Sequence, residues 1–130
     1  MTGTGPKILI VDDEPSLLRV MSLYLGRIGY SVTVAASVAK ARTQLTSGGG
    51  KFAVVVLDAT LAGDALADLG SEILAADPDV RVIGASGYPI DMHELEAKAP
   101  GRVAFLHKPF SPEMLATVVR RMLGAKKEGV

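Results

Sequence analysis

The sequence predicts a doubly wound α/β domain built on a parallel sheet. Three observations carry that expectation. Apolar runs of strand length recur along the chain, and three of them, ILIV, VVVL and VAFL, are almost free of polar interruption, as suits strands covered on both faces. Segments with helical apolar spacing fill the intervals between them. Short turn-forming stretches join the two kinds, so strand and helix alternate as five successive βα units, for which right-handed crossovers are expected.

The elements follow in chain order. The first strand, Lys7–Val11, leads to a helix that Pro15 opens. Leu17, Met21, Tyr24, Leu25 and Ile28 keep helical spacing, and Gly29 ends it. After the second strand, Ser31–Ala35, Ser37 caps a helix carrying Val38, Ala41 and Leu45. TSGGG (46–50) reads as a turn inside one domain. The third strand, Phe52–Leu57, precedes a helix from about Ala65 to Ala76 that uses Leu66, Leu69 and Ile73 and stops before Asp77-Pro78. The fourth strand, Val80–Gly84, precedes a more polar helix from about Ile90 to Lys98. The fifth, Val103–Leu106, precedes a helix capped by Ser111, with Pro112 in its first turn and Leu115, Val118, Val119 and Met122 on its buried face. Residues 1–6 are expected as a disordered N-terminus, 7–124 as the domain and 125–130 as a C-terminal tail.

Composition bounds the function. The chain has 130 residues, 48% of them hydrophobic and 22% charged, enough for a single core and too apolar for disorder. Lys plus Arg and Asp plus Glu balance at 14 each, so no charge excess points to nucleic acid or an anionic membrane. There is no cysteine, which excludes disulfides, thiolate metal sites and a Cys nucleophile, and two histidines are too few for a histidine-rich metal site. No apolar run reaches the roughly 20 residues of a membrane span, and MTGTGPK lacks the pattern of a signal peptide. The expected location is cytoplasmic. GGGKF is not a phosphate loop, because its glycines precede a strand and Phe52 follows Lys51 where Ser or Thr is needed.

In a parallel sheet the strand C-termini share one edge, where ligands bind. The residues just past the strands are Asp12, Asp13 and Glu14; then Asp58; then Ser86 and Gly87; then Lys108 and Pro109. Alone, Asp12 and Asp13 would read as helix caps worth roughly 1 kcal/mol, Ser86 as a turn hydroxyl and Lys108 as a surface lysine. Together they surround one cleft. Clustered carboxylates repel unless a cation joins them, and Mg²⁺ takes oxygen ligands of this kind. With Mg²⁺ and Lys108 present the cleft can hold a phosphoryl group, and Asp58 can attack phosphorus to form an acyl phosphate.

ILIVDDEP, VVVLDATLAG, VIGASGY and FLHKPF resemble, in order and spacing, the receiver domain of bacterial two-component response regulators, over nearly the whole chain. The wording is most similar to stand-alone or hybrid-histidine-kinase receivers. The resemblance implies a flavodoxin-like receiver fold, a five-stranded parallel sheet in order 2-1-3-4-5 with five helices. It implies Asp58 as phosphoacceptor and Asp12 and Asp13 as the metal-binding acid pair, Asp13 ahead of Asp12 as direct ligand. The backbone carbonyl of Thr60 would complete the protein's share of Mg²⁺ ligation. Ser86 would sense the phosphoryl group and Lys108 would be its counter-charge. Phe105 would be the switch aromatic, a role that competes evenly with a plain core position. The departure is Ala62, where receivers usually carry proline, in a loop without the usual acidic-glycine ending.

The implied function is a Mg²⁺-dependent phosphoacceptor that takes phosphoryl from a histidine kinase or histidine phosphotransfer protein and switches the face of its fourth helix, fifth strand and fifth helix toward a protein partner. It would not be a turnover enzyme, and this chain alone carries no DNA-binding motif. Phosphatases of the haloacid dehalogenase type also use an Asp nucleophile after a strand, but they need a second Asp two residues later, where Thr60 stands. The alternative is a receiver-like protein-binding module that no longer switches.

Overall fold

A computed structural model describes residues 3–47, 51–61 and 65–128, without the side chains of 65 and 125–128. Ten elements alternate: β1 (Lys7–Val11), α1 (Pro15–Arg27), β2 (Ser31–Ala35), α2 (Val38–Thr46), β3 (Val54–Asp58), α3 (Ala65–Ala76), β4 (Arg81–Ser86), α4 (His93–Lys98), β5 (Val103–His107) and α5 (Pro112–Glu128). All strand pairings are parallel and the order is β2-β1-β3-β4-β5. The doubly wound receiver-type fold expected from the sequence is the observed one.

Strand alternation sorts the core into two layers. Ile8, Ile10, Val54, Val56, Ile83 and Leu106 pack with Leu18, Met21 and Leu25 of α1 and Leu115, Val119 and Met122 of α5. Leu9, Val11, Val55, Leu57 and Val82 pack on the other face with Ala41 of α2, Leu66, Leu69 and Ile73 of α3 and Leu95 of α4. Every residue of β3 and β4 is buried, as befits central strands covered on both sides.

The caps hold. Ser37 Oγ accepts the Lys40 amide at 3.1 Å, and Ser111 Oγ accepts the Met114 amide at 3.1 Å. Gly29 closes α1 at φ +115°, a conformation that costs a side-chain-bearing residue about 1–2 kcal/mol. Arg102 ties the start of β5 to the α3–β4 connection by donating to the carbonyls of Val80, Leu74 and Asp77.

Four elements differ from expectation in their bounds. β3 and β4 start later and run further, so Asp58 and Ser86 are the last residues of their strands, because Asp58 pairs with Ala85 and Ser86 with His107 in the ladder. β5 likewise runs one residue further, to His107. α4 starts at His93, not near Ile90, because Asp91 Oδ1 accepts the His93 amide at 2.9 Å and turns the chain there. At the termini, Gly3 donates to the Tyr30 carbonyl at 2.8 Å and Gly5 to Gly29 at 2.9 Å. Residues 3–6, expected in a disordered stretch, therefore lie along the α1–β2 turn, and α5 continues into the expected tail as far as Glu128. Ala62 and most of the glycine turn at 46–50 lie outside the described residues. No helix among the described residues is long and apolar enough to cross a membrane.

Candidate functional site

β1, β3, β4 and β5 end at one edge, and the residues at or just past their ends supply the site. Asp12 and Asp58 are each 2% exposed and Ser86 is 1% exposed, whereas Asp13 faces solvent. Asp12, Asp13 and Asp58 each offer a carboxylate oxygen within a 4.8 Å cluster. Lys108 reaches across from the end of β5. Its Nζ lies 2.8 Å from Asp12 Oδ2 and 3.2 Å from Asp58 Oδ2, so one ammonium serves two buried carboxylates. The Lys108–Pro109 peptide is cis.

Local turns hold the acids in place. Asp12 Oδ1 accepts the Glu14 amide at 2.9 Å while α1 has no side-chain cap of its own. Asp58 Oδ1 accepts both the Thr60 amide at 2.9 Å and the Thr60 hydroxyl at 2.8 Å. These two bonds fix one oxygen of Asp58 and leave the other facing Lys108. Sequence reasoning used only the Thr60 carbonyl; the Asp-x-Thr spacing is the turn signal that would have found its amide and hydroxyl. Ser86 Oγ accepts the Tyr88 amide at 3.0 Å, which leaves the hydroxyl proton able to donate elsewhere. The Ser86 carbonyl accepts the Lys108 amide at 2.8 Å, locking β4 to β5 at the site. Phe105 is half-buried on the α4 face of β5 and meets His107 edge-on.

Electrostatics follow from this crowding. Burial pushes the Asp12 carboxyl above its ordinary value; the Lys108 ammonium and the Glu14 amide oppose that rise, and the Asp58 charge adds to it. Burial alone would lower the Lys108 ammonium, but bonding to Asp12 and the charges of Asp12 and Asp58 outweigh it and hold the group above the usual lysine range. One ammonium thus faces two buried carboxylates, and the rise at Lys108 reflects their negative charge. The donors are all carboxylate oxygens, converge within 4.8 Å and include one solvent-facing member. That set fits a hard divalent cation such as Mg²⁺, which favours oxygen ligands and retains waters.

The predicted residues Asp12, Asp13, Asp58 and Lys108 therefore come together, with Ser86 and Thr60 beside them. Phe105 stands one strand away from Asp58 across β4, on the other side of Ser86's strand.

Comparison with known proteins adds the relatives. Residues 8–120 match the sequence model of the response regulator receiver domain. The chain is 30% identical over 124 residues to the DNA-binding transcriptional regulator NtrC of Rhizobium meliloti, covering 95% of this chain and 25% of that protein. It is 34% identical over 116 residues to the sensor kinase CckA of Brucella abortus, covering 89% of this chain and 12% of that one. The chain thus spans a quarter or less of these two curated relatives. A response regulator receiver domain from Clostridium thermocellum superposes with a TM-score of 0.79 at 24% identity, over 97% of this chain and 100% of that chain, which speaks to the fold.

Proposed function

The chain belongs to the response regulator receiver domain family, and from that premise we propose that Asp58 is the phosphoacceptor of a two-component or phosphorelay pathway. One observation carries the reading: the buried Asp58 carboxylate ends the central strand 3.2 Å from Lys108 and within a 4.8 Å cluster with Asp12 and Asp13.

The donor is the phosphohistidine of a histidine kinase or a histidine phosphotransfer protein. One Asp58 oxygen bonds to phosphorus as the P–N bond breaks, and the electron pair of that bond leaves on the donor imidazole. Thr60 orients the Asp58 carboxylate through its amide and hydroxyl. Lys108 offsets charge on the transferred oxygens, and Asp12 in turn positions Lys108. Asp12, Asp13 and Asp58, with the Thr60 carbonyl, would hold Mg²⁺, which when bound supplies the further positive charge that phosphoryl transfer needs. The phosphoryl group comes to rest on the protein's own Asp58, so turnover of phosphoesters is not expected.

The new phosphoryl dianion attracts the Ser86 hydroxyl and Lys108. The loop after β4 then moves toward Asp58, Phe105 follows, and the face of α4, β5 and α5 changes shape for a protein partner. A full flip of such an equilibrium needs about 5.5 kcal/mol, within reach of a few charge-assisted bonds.

The test is intact-mass measurement after incubation with Mg²⁺ and phosphoramidate or acetyl phosphate. A single phosphoryl adduct is expected, absent in Asp58→Asn and absent with EDTA. No adduct from either donor would overturn the assignment.

A further inference from the structure

We propose that His107 is a positioning residue that links Ser86 to Phe105; the proposal rests on the receiver reading of those two residues and deepens it. Phe105 and His107 are two apart on β5 and so project from the same face of the sheet. Their ring centroids lie 6.3 Å apart with the planes at 75°, an edge-to-face contact. β5 is an edge strand, with β4 as its sheet neighbour. Across that ladder Phe105 faces Gly84 and His107 faces Ser86.

Gly84 offers the Phe105 ring no side chain. The space above it is filled by Leu66 and Met92: a Cβ there would sit 3.0 Å from Leu66 Cδ2 and 3.2 Å from Met92 Cε. Phe105 belongs to neither core cluster of the described residues. His107 is the ring partner of Phe105, and it stands opposite Ser86, the hydroxyl-bearing residue of the site, in the ladder. The Lys108 amide, donating to the Ser86 carbonyl at 2.8 Å, ties the two backbones together at this point. A displacement of Ser86 toward a phosphorylated Asp58 moves His107 with it and removes the edge contact that holds Phe105 in place. The ladder pairing of Ser86 with His107 and the ring contact of His107 with Phe105 thus run from the end of β4 to β5.

The chain has three phenylalanines, so fluorophenylalanine labelling gives three resonances, and Phe105→Leu assigns the one required. In His107→Ala the unphosphorylated protein should populate the Phe105 ring position that wild type takes up with beryllofluoride roughly two- to tenfold more than unliganded wild type, the range an aromatic pair contact supports. Its Phe105 response to beryllofluoride and Mg²⁺ should shrink accordingly. His107→Tyr, which keeps an aromatic edge, should restore both. The phosphoramidate adduct should form to the same extent in all three proteins, which a general loss of structure would not allow. A Phe105 resonance in His107→Ala that superposes on wild type before and after beryllofluoride overturns the proposal. Wild-type protein that takes no phosphoryl group overturns the phosphoacceptor reading instead, and the unliganded Phe105 resonances still decide the His107 contact.

Discussion

At Asp12 a carboxylate 2% exposed shares the Lys108 ammonium with Asp58. Its proton affinity is raised in the fold, first by burial and then by the Asp58 charge. A raised carboxyl contributes stability below its ordinary value of 3.8 and loses it as pH rises through the shifted value. At neutral pH, without a divalent cation, ionised Asp12 therefore costs stability. Asp12→Asn should melt at a higher temperature than wild type in EDTA, and calorimetry would check it; a lower melting temperature would show that the Lys108 bond outweighs burial. Lys108 has the opposite linkage. Its raised ammonium contributes stability below 10.5 that is lost only as pH rises through its shifted value. Lys108→Ala leaves two buried carboxylates facing each other. It should lower stability by about 1–3 kcal/mol in denaturant titrations in EDTA. The sequence spacing announced Asp12, Asp58 and Lys108 as neighbours. It was silent on which oxygen each would offer, because that depends on turns such as Asp58–Thr60.

At the scale of elements, local chemistry and ladder pairing divide the control. β1, β2 and α3 have the bounds expected from their apolar runs and punctuation. β3 and β4 do not, since pairing with neighbours carries them on to Asp58 and Ser86, and no single-strand pattern encodes its partner's reach. α4 is shortened by the turn at Asp91, a residue the apolar pattern ignores. Ser111→Ala removes the cap of α5 and should cost about 1 kcal/mol, read as a lowered thermal midpoint. Two glycines should respond in opposite directions. Gly29→Ala should destabilise by about 1–2 kcal/mol, because its φ is +115°. Gly124→Ala in α5, where an added Cβ meets nothing within 4 Å, should stabilise by roughly 0.5 kcal/mol. Denaturant midpoints of the two variants separate the effects.

Over the whole molecule, the site sits where the doubly wound topology sends four strand ends, and a cation bound there reports on the entire fold. Mg²⁺ at 100 times its dissociation constant should raise unfolding stability by about 2.7 kcal/mol, and Asp13→Ala should abolish most of that gain without disturbing the core, since Asp13 is exposed. Thermal melts against Mg²⁺ concentration would show it. The Arg42–Glu72 pair between α2 and α3 is surface-exposed, and Glu72→Gln should leave the melting temperature unchanged. By itself the sequence determined the alternation of strands and helices, the parallel sheet and the identity of the acids, hydroxyl and lysine at its edge, because apolar periodicity and turn residues act over a few neighbouring positions. Only the tertiary structure decided that Lys108 bridges Asp12 and Asp58 and that His107 stands opposite Ser86. Those contacts join residues as far as 96 positions apart in the case of Asp12 and Lys108, and they exist only once strand register has placed separate turns side by side.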